Sequence, residues 1–473
     1  MTPTSTGAPT RTTFDFPVLL ERAFVTTIAV AALAYGSAST VQSSFLAIAF
    51  ALLAMLSILR PIGSAAIRVV RAIAILLAAG LVGYAALQAL PIAGANIANG
   101  AWKSIADHIA PVRGTISVAP GMTLDALPEL ALPFLVFVCA LVFFQGDDGG
   151  LRLWRALAYF GVGYAAIGVL QELFFPEQLL FERKVFYVGS LTATFVNRNT
   201  AGTFFGLAFL LNLGLEFDAL RKIRLASLVK KTLNFDMAWP DKHTMTLVHL
   251  FACLVCAVAL FLTQSRGAVG ATFVASTFAA ALIATRSVTS DAPSDDSAKW
   301  RHRAMTIGVV LVVSGLFALF AGRSIYRMEE AGAADGRWCA FASTLEGIHD
   351  NWVLGAGFGT FQDVFPVYRD PTCAGITGVW ERAHNVFLEG WLGLGAPFLV
   401  GLAVGCAVLI AVFVHGVRTR HRLRFAPIVG LAALILATLH SIVDFSLQIP
   451  GFTVYFAAAM AAAISISLGR GRA

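Results

Sequence analysis

The residues best suited to chemistry in this chain stand where charged loops run into apolar helices. His384 lies in Glu381-Arg382-Ala383-His384-Asn385, directly ahead of an apolar run that reads as one unbroken helix to about Phe413. A helix start carries about +0.5 of a charge, which disfavours protonation of a nearby imidazole. A neutral imidazole near pH 7 can take a proton from an attacking hydroxyl. Three arginines repeat the placement: Arg198 in F-V-N-R-N-T-A-G, Arg266 in T-Q-S-R-G-A and Arg382 in E-R-A-H-N. The dipole repels a cation there, so three such arginines cost stability unless an anion sits between them. Guanidinium groups beside unpaired backbone N–H groups suit a phosphate or diphosphate. Asn197, Asn199 and Ser265 add donors and candidate caps. The competing reading of each arginine is snorkelling to lipid headgroups.

Other ionisable groups point less sharply. His440 and Asp444 are spaced i, i+4 at the end of an apolar run and read as a supporting or structural pair. Glu172 is placed in a similar way. Glu329, Glu330, Asp335, Asp350, Asp363 and Glu381 read mostly as a solvated face. Gly355, Gly357 and Gly359 form G-A-G-F-G-T, which lacks dinucleotide spacing and reads as a turn. No HExxH or carboxylate–histidine cluster occurs in the sequence, so no metal site and no cofactor are expected. Cys253 and Cys256 form C-L-V-C inside an apolar run, where packing is the better reading.

The elements that must position these groups are membrane helices. The chain has 473 residues, 58% hydrophobic and 13% charged, more apolar surface than a soluble domain can hide. It reads as an all-α polytopic membrane protein with about twelve spans. Their approximate centres are Ala31, Ala51, Ala79, Val136, Gly163, Phe209, Cys256, Thr277, Val313, Ala403, Ile435 and Ala459. The net charge of +7 is not a nucleic-acid signal, because the cations sit in short loops between apolar runs. Most of the Lys and Arg fall in alternate loops and in both tails, which places both termini in the cytoplasm. Residues 1–14 read as a disordered cytoplasmic tail, 15–322 as the first nine spans, 323–384 as a large outward loop and 385–473 as the last three spans. The first apolar run is read as a retained span, because another follows at once. Within the outward loop, Gly336 to Ile348 can form an amphipathic lid helix with Trp338, Phe341, Leu345 and Ile348 on one face. Cys339 and Cys373 share that loop, where a disulfide would contribute roughly 3 kcal/mol.

The motifs resemble a known family. The run D-G-R-W-C-A-F-A-S-T-L-E-G-I-H-D-N-W-V-L-G-A-G-F-G-T-F, then F-P-V-Y, then R-A-H-N-V-F-L-E-G-W-L-G-L-G, is similar to the signature region of the O-antigen ligase and O-antigen polymerase (Wzy) superfamily. N-R-N-T-A-G, T-Q-S-R-G and H-S-I-V-D-F fit its surface-polysaccharide members. The resemblance covers roughly Thr192 to Gly451. It implies a GT-C-like, inverting, metal-independent glycosyltransferase of the bacterial inner membrane with a periplasmic site. Its donor would be a glycan on undecaprenyl pyrophosphate. Its acceptor would be lipid A-core for a ligase, or another glycan for a polymerase. By position, Arg266 matches the arginine that holds the lipid pyrophosphate, Arg337 the essential loop arginine, and His384 the proposed general base. Phe341, Trp352 and Gly393 depart from residues common in the family, which bears on the acceptor side. A transporter of lipid-linked sugars is the rival, and it would place ionisable groups near mid-membrane.

Overall fold

The computed structural model describes residues 16–91, 97–109, 112–236, 238–287, 336–373 and 378–469. Long runs of Leu, Ala, Val and Phe between charged turns fold as helices, because only a helix satisfies its own backbone in lipid. The first six helices are α1 (Phe16–Leu33), α2 (Thr40–Ser57), α3 (Ala65–Gln88), α4 (Gly100–His108), α5 (Pro120–Phe143) and α6 (Gly146–Phe174). A two-residue hairpin follows, β1 (Gln178–Leu179) against β2 (Glu182–Arg183), antiparallel with Gln178 opposite Arg183. Next come α7 (Arg198–Leu220), α8 (Leu225–Leu233), α9 (Lys242–Leu262) and α10 (Arg266–Ser287). The loop region holds α11 (Gly336–Asn351), α12 (Phe361–Tyr368) and α13 (Val386–Leu394). The chain then forms α14 (Ala396–Thr419), α15 (Phe425–Ser441) and α16 (Pro450–Ser467).

Among the described residues, ten helices are long and apolar enough to cross a membrane, and α15 is apolar but only 17 residues long. The protein is an all-α polytopic membrane protein. Eleven of the expected span centres fall on these helices; the one at Val313 and the tail 1–14 lie outside the described residues. The bundle is organised around α7 and α16, whose apolar windows are 83% and 94% buried, whereas α14 is 11% buried and peripheral. Phe204 of α7 stacks on Tyr455 of α16 at 4.2 Å, and the Tyr455 hydroxyl donates to the Leu157 carbonyl of α6. Gly161 lets α6 approach α7 closely, since a Cβ there would meet Ala208 at 2.6 Å.

A second apolar cluster lies outside the bundle. Ala340 and Ile348 of α11, Phe361 and Phe365 of α12, Ala383, and Leu392 of α13 pack together. Of the expected lid face, Ile348 packs into this cluster. Trp338 and Leu345 are exposed, and α11 buries the small residues Gly336, Ala340, Ser343, Thr344 and Gly347 beside Ile348. Small side chains let α11 sit close on α13, and Trp338 and Leu345 remain outward, as a lid helix lying on a membrane has them. Cys339 and Cys373 are bridged and fasten α11 to the segment after α12. Asp350, Asp363 and Glu381 are exposed as expected, while Glu329, Glu330 and Asp335 lie outside the described residues.

The helix after His384 is not continuous. It breaks at Gly395, whose φ of +64° and ψ of −147° no other residue adopts readily. The break is fixed from outside. Ala396 N–H donates to the Val353 carbonyl at 2.9 Å, and Ala356 and Gly357 N–H groups donate to the Leu392 and Gly393 carbonyls. The G-A-G-F-G-T run is thus a turn clasping α13, with Gly355, Gly357 and Gly359 all at positive φ.

Gly395→Ala should lower stability by at least about 1–3 kcal/mol, since the added Cβ would lie 2.3 Å from the Val353 carbonyl oxygen; thermal unfolding in detergent checks this, and an unchanged transition would contradict the break. Alkylation and mass spectrometry should find Cys339 and Cys373 blocked without reductant, and Cys339→Ser should lower stability by about 3 kcal/mol.

Candidate functional site

The polar groups gather where α7, α10 and α13 begin and α15 ends. Asn197 caps α7, its side chain accepting from Asn199 N–H at 2.8 Å. This leaves the Asn199 side chain to bridge its neighbours. Its amide donates to Asp444 Oδ1 at 2.8 Å, and its carbonyl oxygen accepts from Ser265 Oγ at 2.8 Å. Ser265 precedes α10, so one asparagine ties the starts of α7 and α10 to the turn after α15. Arg198 and Arg266 are the first residues of those two helices. Gly267 then packs against the His440 ring, where a Cβ would come within 3.2 Å.

Asp444 is the hub. It is buried, with 1% of its surface exposed, and its Oδ2 accepts from Ser446 Oγ at 2.6 Å. Two imidazoles flank it, each with Nδ1 at 4.0 Å: His384 toward Oδ1 and His440 toward Oδ2. That is beyond a direct hydrogen bond, so the expected His440–Asp444 pair is indirect. His440 Nδ1 meets the Thr203 hydroxyl at 2.8 Å, and Ser446 links it onward to the carboxylate.

His384 is held in the left-handed region at φ 55°. The residues on either side enforce it. Asn385 caps α13, accepting from Phe387 and Leu388 N–H at 3.0 Å, and donates to the Ile442 carbonyl at 2.9 Å. Ala383 N–H donates to Glu389 Oε2 at 2.7 Å. The imidazole lies between Trp380 and Phe445, with ring centroids 5.4 and 4.8 Å away, and about a quarter of its side chain is exposed. It is thus fixed in orientation and still reachable.

The arginines divide into two groups. Arg198 lies over the Tyr187 ring at 5.2 Å and reaches Ser190 Oγ at 3.4 Å. Burial raises the Tyr187 hydroxyl above its ordinary pKa, Asp444 adds to that, and the charges of Arg198 and Arg337 oppose it. Arg337 is the second residue of α11. Arg382 differs. Its guanidinium faces Glu389 at 3.2 Å and Glu129 of α5 at 3.2 Å. Burial opposes its charge, but the Glu389 and Glu129 carboxylates outweigh that and raise its pKa above the ordinary arginine value. Arg382, expected as a diphosphate ligand, is placed between two carboxylates as an ion-pair partner. Two carboxylates already balance its charge at helix-start range, which the sequence reading had assigned to an external anion.

Sequence reasoning missed Glu129, Glu389 and Tyr187. A carboxylate inside an apolar span is costly enough to be a signal, and both glutamates carried it. Tyr187 gave none, because its stacking depends on the fold of 175–197. Glu172 also proves structural, paired with the buried Lys184 at 3.0 Å.

Fold and site together define a polytopic helical membrane protein with a basic, histidine-bearing polar cluster at one end of its bundle. Residues 251–403, about a third of the chain, match the family model described as O-Antigen ligase. They include Arg266, Arg337, Arg382 and His384, while Arg198, His440 and Asp444 fall outside. Over this stretch the chain is similar to that family, in line with the resemblance to the O-antigen ligase and polymerase superfamily. Comparison with curated proteins gives no match.

Glu389→Ala should destabilise the protein by up to about 3–5 kcal/mol, the range for breaking a buried pair, and Glu389→Gln by less, because it still accepts from Ala383. If Arg382 served a phosphate instead, Glu389→Gln would leave unfolding unchanged and alter only donor binding.

Proposed function

We propose that this protein is an inverting, metal-independent glycosyltransferase of the bacterial inner membrane. It moves a glycan from undecaprenyl pyrophosphate to an acceptor hydroxyl on the periplasmic side, with both termini in the cytoplasm. The observation that carries this reading is the gathering of the start of α7 at Arg198, the start of α10 at Arg266, and His384 around one buried carboxylate. The Cys339–Cys373 bridge supports an oxidising compartment for the loop.

In this reaction Arg198 and Arg266 hold the diphosphate, with Asn197 and Asn199 shaping the start of α7. With Nδ1 turned toward Asp444, Nε2 of His384 takes the proton of the acceptor hydroxyl. The acceptor oxygen bonds to the anomeric carbon as the bond from that carbon to the diphosphate oxygen breaks. The electron pair leaves with the diphosphate, whose growing charge the arginines stabilise. The carboxylate of Asp444 steadies the imidazolium that results, and His440 with Thr203 and Ser446 holds Asp444 in place. No nucleotide is needed, because the donor sugar is already activated.

The acceptor we favour is lipid A-core, which makes the protein an O-antigen ligase, in keeping with the description of the matched family. A polymerase would run the same chemistry with another glycan as acceptor. Deleting the gene separates them on a gel of surface glycans. Loss of all capped lipopolysaccharide supports the ligase; a single repeat left on the core would overturn it in favour of the polymerase.

In transfer assays from a lipid-linked glycan, His384→Ala should lower kcat by about 10²–10⁴ with donor binding retained. Arg198→Ala and Arg266→Ala should weaken donor binding as well. Full activity in His384→Ala would remove the base from this reaction.

A further inference from the structure

The segment between α6 and α7 is folded inside out for a loop in water. Its apolar side chains point outward: Phe174, Phe175, Phe181, Val185, Phe186 and Val188 are all exposed, Phe181 at 96%. Its lysine turns inward, while Glu177, Gln178, Glu182 and Arg183 are exposed. The Lys184 side chain is 3% exposed and donates to Glu172 and to the Pro176 and Ser190 carbonyls. Gln171 donates to the Gln178 carbonyl, and Gln264 at the end of α9 donates to the Gly189 carbonyl. The Leu191 N–H donates to the Leu262 carbonyl, and the hairpin pairs its own backbone. A water-facing loop has no need to turn its one buried cation and its carbonyls away from solvent. Backbone placed beside lipid does need it.

The exposed run also continues an existing lipid-facing strip. Leu170 and Leu173, on the last turns of the span α6, are exposed on a helix long and apolar enough to cross the membrane, and Phe174 and Phe175 follow Leu173 directly. The charged residues Glu177, Glu182 and Arg183 are exposed as well, with Arg183 and Glu177 paired at 3.0 Å. In the arrangement proposed below these charged residues would face water, in the way charged and aromatic residues divide at a membrane boundary.

We propose that residues 174–188 form a membrane-dipping hairpin, with Phe181 and Phe186 seated in the hydrocarbon of the leaflet nearest the polar cluster. The occupant of this patch is the lipid bilayer itself. The hairpin hangs from Lys184 on one side and leads into Tyr187, which carries Arg198 on its ring. The depth of the hairpin therefore sets the height of Arg198 relative to lipid headgroups. The proposal stands whether or not the transferase reading holds.

The test is depth measured by spin label. Single labels are placed through Phe181→Cys, Phe186→Cys and Glu177→Cys in full-length protein whose Cys139, Cys253, Cys256 and Cys406 are replaced by alanine. The protein is reconstituted in phosphatidylethanolamine–phosphatidylglycerol vesicles. Labels at 181 and 186 should be reached by oxygen and shielded from a water-soluble nickel chelate, with the label at 177 showing the reverse. Chelate access at 181 and 186 equal to that at 177 would overturn the proposal. So would labels shielded from both relaxers with dipolar broadening, which would mean that a second copy covers the patch. If the background lacking those four cysteines does not fold, Phe181→Trp and Phe186→Trp in the native background give the same decision: added emission quenched by brominated lipid supports the proposal, and added emission quenched only by iodide overturns it.

Discussion

A carboxylate taken out of water must be matched where it sits, and the arrangement around Asp444 follows from that need. Left unpaired, it would be expensive at 1% exposure. Asn199 and Ser446 supply the hydrogen bonds, and the imidazoles of His384 and His440 flank the carboxylate at 4.0 Å. Each partner comes from a different part of the chain. Satisfying one buried acid thereby fixes the starts of α7 and α10, the end of α15 and the residue ahead of α13 in a single geometry. Rigid helices then hold functional groups that a loop alone would leave loose.

The loop region meets the bundle through a second charge balance. Arg382 between Glu129 and Glu389 joins the segment before His384 to α5 and α13 at once. Glu389 also takes the Ala383 N–H, so the same carboxylate neutralises the arginine and sets the backbone that presents the imidazole. The Gly395 break adds to this. It frees α13 from the direction of α14, and α13 then packs with α11 and α12 rather than continuing the span. The histidine is therefore carried by a small docked unit, clamped on both sides, and not by the tip of a long membrane helix.

Much of this was legible in the residues. Apolar run lengths located eleven of the helices, because hydropathy in lipid leaves little else for such runs to do. The placement of Arg198, Arg266 and His384 at helix starts was legible too, since local charge and helix polarity are both written in adjacent residues. What could not be read were contacts between distant segments. The Arg382–Glu129 pair spans 253 positions, and Asn199 meets Asp444 across 245. The break at Gly395 was also hidden, because the clasp from Val353 to Gly357 that demands it comes from the preceding loop. For α11 the packing of small residues on α13 was not legible, because such residues carry no apolar signal.

The central claim is that the basic helix starts and His384 serve one bound diphosphate. Cryo-electron microscopy of the protein with a non-transferable undecaprenyl-diphosphate glycan analogue tests it most directly. The account predicts density for the two phosphates within hydrogen-bond reach of Arg198 and Arg266, with the anomeric carbon on the side facing His384. A headgroup bound elsewhere, with the space between these residues and Asp444 empty of ligand, would contradict it.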